Sequence, residues 1–186
     1  MAVDTPTQVI VVHGWNDDPS RGWLGWLGGH LNERGYDVAA PHFDMKSPHR
    51  LDVWLVELTQ LLTAAKPGTI LVAHSLGCWL TLRGLESLTG SRAFSHMYLV
   101  AGFYDAPQPA AEKYFSPEPD WSKVIEQVSR RTCIYSDNDT IVTPDRTRRL
   151  AHKLDAELLC IPERGHFLGS RGMETFPELL SLIIAS

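Results

Sequence analysis

Cysteine is scarce in this chain and odd in number: Cys78, Cys133 and Cys160 lie far apart, each among apolar neighbours. That spacing excludes a disulfide framework or a zinc knuckle and reads as three reduced core thiols in the cytoplasm. Long apolar runs are missing too. The longest are short pieces such as Val9 to Val12 and Leu182 to Ala185, against the roughly 18 residues that a membrane-spanning helix needs. The first residues carry no basic cluster and no apolar core, so no export signal is expected. Positive charge is in deficit, with 17 Lys and Arg against 22 Asp and Glu and a formal net charge of -5. No electrostatic footprint for nucleic acid or an anionic membrane remains. Repeats and low-complexity tracts are absent as well.

What is present is ordinary globular material. The 186 residues are 44% hydrophobic and 21% charged, too apolar and too weakly charged for disorder, and long enough for a single domain over 1–186. Short β-branched runs recur at Gln8 to Val12, Tyr36 to Ala40, Thr69 to Ala73, His96 to Ala101, Thr132 to Tyr135 and Glu157 to Ile161. Most are near-continuously apolar, the mark of strands buried on both faces. Between them, Trp23, Trp26, Leu27, His30 and Leu31, then Leu51, Trp54, Leu55, Leu58, Leu61 and Leu62, repeat at helical spacing. Further helices are expected at Leu76 to Leu88, Ser122 to Arg130, Asp145 to Leu154 and after Phe176. This alternation predicts a doubly wound α/β domain, a mainly parallel six-stranded sheet with helices on both faces. The proline-rich stretch Phe103 to Trp121 reads as a long loop after strand four.

In such sheets ligands bind beyond the carboxyl ends of the strands, so the residues that follow each strand carry the function. Strand three runs Ile-Leu-Val-Ala-His-Ser-Leu-Gly-Cys and sets Ser75 at the turn into an apolar helix, with Ala73 and Gly77 two residues to either side. This resembles the nucleophile elbow Gly-x-Ser-x-Gly, where small neighbours permit a tight turn that lifts the serine hydroxyl clear of the backbone. Strand one ends in His13-Gly14-Trp15, a turn that can fold back toward the elbow. The main-chain N–H groups of Trp15 and Leu76 are then the candidate oxyanion donors. Strand five ends in Ser-Asp-Asn-Asp and strand six in Arg-Gly-His-Phe, so Ser75, Asp139 and His166 stand in the chain order nucleophile, acid, base. Asp137, two residues earlier, and Asp105, after strand four, are rival acids. His13, His42, Asp44 and His74 also lie near strand ends, but no His-x-x-x-His or Cys-x-x-Cys spacing supports a metal, and none is expected. Arg146, Arg148, Arg149 and Lys153 read as a solvated helix face. Trp15 or Trp23 is a candidate to line the pocket.

These segments together resemble the small lidless serine hydrolases of the α/β-hydrolase fold, the family that includes YdeN and retinoblastoma-binding protein 9. The likeness covers the His-Gly turn, Gly-Trp-Leu-Gly-Trp-Leu at 22–27, Ala-His-Ser-Leu-Gly-Cys, Ser-Asp-Asn-Asp-Thr-Ile-Val and Gly-His-Phe. The resemblance implies that Asp139 is the acid, through the motif Ser-x-x-Asp-x-x-Val that starts at Ser136. Thr140 departs from the proline often found there. A Leu-x-Cys-x-Glu motif is absent, since Leu158 to Pro162 ends in proline, so a retinoblastoma-type partner is not carried over and no protein partner is named. The expected activity is hydrolysis of a small carboxylic ester through an acyl-enzyme, without cofactor, in a shallow pocket bounded by loops 14–22 and 103–121. The alternatives are a peptidase or thioesterase of the same fold, or a catalytically idle interaction module.

Overall fold

The computed structural model describes residues 7–44, 50–90, 94–106 and 109–186. The first six residues, on which the expectation of no export signal falls, and 107–108 of the proline-rich loop lie outside them. Six strands form, β1 (Gln8–Val12), β2 (Asp37–Ala39), β3 (Ile70–His74), β4 (Phe94–Val100), β5 (Val128–Tyr135) and β6 (Glu157–Cys160). They are interleaved with α1 (Gly22–Glu33), α2 (Leu51–Ala64), α3 (Leu76–Glu86), α4 (Glu112–Phe115), α5 (Trp121–Gln127), α6 (Pro144–Leu154) and α7 (Pro177–Ile184). All neighbouring strands pair in parallel, in the order β2-β1-β3-β4-β5-β6.

Alternation along each strand divides the core in two. Ile10, Val12, Leu71, Ala73 and Leu99 turn to the face covered by α2, α3, α5 and α6, whereas Val9, Val11, Val72, Tyr98 and Val100 turn to α1 and α7. This explains why β1 and β3 read as unbroken apolar runs: each has neighbours on both sides and helices on both faces. Among the described residues no helix is long and apolar enough to cross a membrane.

Three expectations shift at the sheet margins. Strands β2 and β6 are edge strands, half-buried and largely exposed respectively, and Cys160 at the end of β6 is exposed rather than a core thiol. Strand β5 starts at Val128, inside the segment expected to be helical, because Val128 and Arg130 pair with Phe94 and His96 of β4. Sheet pairing overrides the local helical pattern there. The loop after β4 holds a 3-10 turn at Pro109–Ala111 and then α4, whose Phe115 enters the core.

Candidate active site

Ser75 sits between the last residue of β3 and the first of α3, with φ +53° and ψ -120°. A non-glycine residue held there carries about 1–3 kcal/mol of strain, so the surroundings must impose the turn. They do so by close approach. A Cβ on Gly77 would come within 2.6 Å of the Val12 carbonyl oxygen, because the first turn of α3 runs against the end of β1. A Cβ on Gly14 would stand 3.1 Å from the Ser75 Cβ, so the chain leaving β1 presses on the elbow itself. Ala73 replaces the first glycine of the motif at no evident cost, for its methyl is fully buried between Val12 and Leu99 of the flanking strands. Leu76, as the first residue of α3, presents its N–H at the positive end of the helix, and Trp15 and Leu76 line the same cleft as Ser75.

The other two residues arrive from β5 and β6. His166 Nε2 lies 2.9 Å from Ser75 Oγ, and its Nδ1 lies 2.7 Å from Asp139 Oδ2. The remaining Asp139 oxygen accepts the main-chain N–H groups of Ile141 and Val142 at 2.8 and 3.0 Å. The loops behind this contact are joined residue by residue. Ser136 Oγ accepts the N–H of Arg164 at 2.8 Å, Asp137 the N–H of Glu163 at 2.9 Å, and Asn138 the N–H of Gly165 at 2.7 Å. Four consecutive side chains after β5 thus hold four consecutive residues after β6. Asp137 is occupied in that structural role. Asp105, the other rival acid, is clamped by Arg146 and Arg149 on its two carboxylate oxygens. Burial raises the Asp105 pKa, but the guanidinium groups outweigh it and hold the carboxyl below its ordinary value.

Two features escaped the sequence reading. His74, buried beneath the elbow, donates from Nε2 to the main-chain carbonyl of His166 at 2.9 Å, with the two rings 5.1 Å apart. Its Nδ1 faces Asp17 Oδ2 at 3.6 Å, an electrostatic contact rather than a full hydrogen bond. Burial opposes ionisation of Asp17, yet His74 and the Asp18 N–H lower its pKa overall. The second feature is Arg146, which is not part of a solvated face. Its side chain is only 12% exposed, lies over the Phe103 ring at 4.7 Å and enters the cleft wall. Neither pairing has a local signal, since Asp17 and Asp105 lie 57 and 41 residues from His74 and Arg146.

The cleft that contains Ser75 encloses about 530 Å³, within the roughly 300–1,000 Å³ of small-molecule sites. Trp15 from loop 14–22 and Phe103, Ala111, Tyr114 and Phe115 from 103–121 line it, the two loops expected to bound the pocket. Phe103, Tyr114 and Phe115 supply one wall, and Ile141 and Val142, which follow Asp139, supply another. Trp15 stands half-exposed at its edge, packed against Trp54. Trp23 does not line it: buried, it donates from Nε1 to the carbonyl of Phe167 beside His166. His13 is structural, with Nδ1 donating to the Gly14 carbonyl and Nε2 accepting the N–H of Phe43. Among the described residues no group of three His, Cys, Asp or Glu side chains is placed to hold a metal.

A strained serine at the carboxyl edge of a parallel sheet, with its helix behind it and a histidine against its hydroxyl, is the architecture of an α/β-hydrolase. The chain matches the serine hydrolase family model over residues 9–184 and belongs to that family. It is 33% identical over 180 residues to the putative hydrolase YdeN of Bacillus subtilis, covering 95% of this chain and 94% of that one. The rat serine hydrolase RBBP9 is 25% identical over 185 residues, covering 96% and 95%. The crystal structure of the B. subtilis ydeN gene product superposes with a TM-score of 0.87 at 29% identity, over 96% of this chain and 97% of that one.

Proposed function

We propose that this hydrolase cleaves a carboxylic ester by acyl transfer to water on Ser75, His166 and Asp139. Ser75 Oγ attacks the carbonyl carbon while His166 Nε2 takes its proton. Asp139 holds the Nδ1 proton in place and stabilises the imidazolium. The N–H groups of Leu76 and Trp15 receive the oxyanion. His166 then protonates the departing alcohol, and water, deprotonated by the same nitrogen, releases the acid and regenerates the serine. These steps use only side chains, main chain and water. A cytoplasmic site of action agrees with three unpaired thiols.

The observation that carries this reading is the pair of contacts at His166, 2.9 Å to Ser75 and 2.7 Å to Asp139, at the base of an apolar cleft. A fluorophosphonate probe should label the wild type and not Ser75→Ala. Ser75→Ala should also lose on the order of 10⁶ in kcat with its fold intact. Absence of the adduct would favour an idle interaction module. Parallel assays on esters, thioesters and aminoacyl amides rank the leaving group, and a preference for thioester or amide would displace the ester reading.

A further inference from the structure

The cleft beside Ser75 is larger and more apolar than a short acyl group requires. Phe103 and Phe115 pack at a tilt on one side with ring centres 5.8 Å apart, and Ile141 and Val142 close the other. Arg146 is the one Lys or Arg among the described lining residues, and its charge is already met. Asp105 accepts from its Nε at 3.0 Å and from Nη2 at 2.6 Å, while Arg149 and Asp145 complete a four-charge group of zero net charge. An anionic substrate tail would have to leave water for aromatic walls without a free cation to receive it. An uncharged hydrocarbon tail meets mainly apolar surface.

We propose that the acyl group accepted here is an uncharged apolar chain of medium length, with Phe103, Phe115, Ile141 and Ala111 setting its preference; this rests on the ester reading above. A methylene is close in size to a water molecule, whose share of liquid volume is about 30 Å³, so eight carbons occupy roughly 240 Å³ and leave room in the cleft for the alcohol. Each methylene withdrawn from water gains up to about fourfold in affinity for the transition state, less where burial is partial. Ala111, on the 3-10 turn before α4, has the smallest side chain of the group, and enlarging it shortens the space.

The test is a series of p-nitrophenyl esters from acetate to dodecanoate, with the ω-carboxylated octanoate as a charged control. For the wild type, kcat/KM should rise about two- to fourfold per methylene toward octanoate and then level or fall. The charged control should run at least about tenfold below octanoate. In Ala111→Phe the octanoate-to-acetate ratio should drop at least about tenfold, a ratio that does not depend on how much of the variant is folded. Ser75-dependent turnover in which acetate equals or beats octanoate overturns the inference and leaves the ester reading standing. A charged control as good as octanoate overturns it too and makes Arg146 an anion receptor. No Ser75-dependent turnover of any ester sinks the ester reading and this inference with it.

Discussion

His74 and His166 are joined by a hydrogen bond from the Nε2 of the first to the main-chain carbonyl of the second, 2.9 Å long and buried. A carbonyl oxygen only accepts, so His74 carries a proton on Nε2. The bond ties the end of β3, next to Ser75, to the loop that bears His166. Asp17 lies on the far side of the ring, 3.6 Å from Nδ1. His74→Leu should therefore lower kcat by about 10- to 100-fold with little change in KM, since only the alignment of reacting groups is disturbed. His74→Gln keeps an N–H donor and should recover most of the loss. Steady-state kinetics of the two variants decide it: equal losses would mean that His74 only fills space.

The acid assignment separates into three substitutions. Asp139→Asn should cost about 10⁴ in kcat, because the imidazole loses the partner that fixes its tautomer. Asp137→Asn should cost under about tenfold, since an amide oxygen can still accept the N–H of Glu163 and local loop contacts are worth little each. Asp105→Asn unsettles the Arg146 and Arg149 clamp and should act on stability more than on acetate turnover. If Asp105→Asn matched the serine variant in kcat while Asp139→Asn were mild, the acid would belong after β4.

The contrast between these residues explains how much was legible beforehand. The elbow, the His-Gly turn and the terminal Asp and His blocks are local patterns, because a tight turn needs small residues at fixed offsets and each strand end exposes the residue after it. The central strands announce themselves by unbroken apolar runs. What stayed hidden depends on pairs distant in sequence: the inward turn of Arg146 follows from Asp105, and the role of His74 from a main-chain carbonyl that no side-chain motif records. Likewise, Val128 to Arg131 joins the sheet only because β4 offers an edge there. The exposure of Cys160 follows from β6 being the last strand.

That exposure has a direct readout. Burial pushes the Cys133 thiol up to about 12 and the Cys78 thiol well above its ordinary value, with Cys133 adding to the effect. Both should resist a disulfide reagent at pH 8, while Cys160 on the exposed edge should react. Titration should count one fast thiol in the native protein and three after denaturation. Two fast thiols in the native state would contradict the full burial of Cys78 and Cys133.

Stability should also respond to pH through His96, which stacks on Tyr98 at 4.0 Å and meets Thr132 Oγ1 at 2.9 Å. Burial, assisted by Arg130, pushes its pKa from 6.5 down to about 4. The folded state therefore prefers the neutral ring and the unfolded state takes up the proton first. The stabilisation is complete above pH 6.5, erodes as pH falls below it, and is lost through about pH 4. His96→Phe keeps the ring stack but cannot titrate. Its Tm should lie below that of the wild type at pH 7, and the gap should narrow as pH falls toward 4. A constant gap would assign the acid sensitivity to other groups.

The oxyanion donors can be tested at Trp15, where main chain and side chain have separable roles. The indole borders the cleft and packs edge-on against Trp54 with ring centres 6.4 Å apart, so Trp15→Ala removes a wall and should raise KM, most for long acyl chains. Alanine keeps the main-chain N–H proposed to receive the oxyanion, so kcat on a short ester should change little. Trp15→Pro deletes that N–H and should cost roughly 10² to 10³ in kcat. Circular dichroism and fluorophosphonate labelling would check that the elbow still forms in the proline variant. Labelling itself should slow in Trp15→Pro, because the phosphonyl oxygen uses the same donors. Equal, small effects of the two substitutions on kcat would place the second donor at another main-chain group, with Asn16, whose φ is +53°, the next to examine.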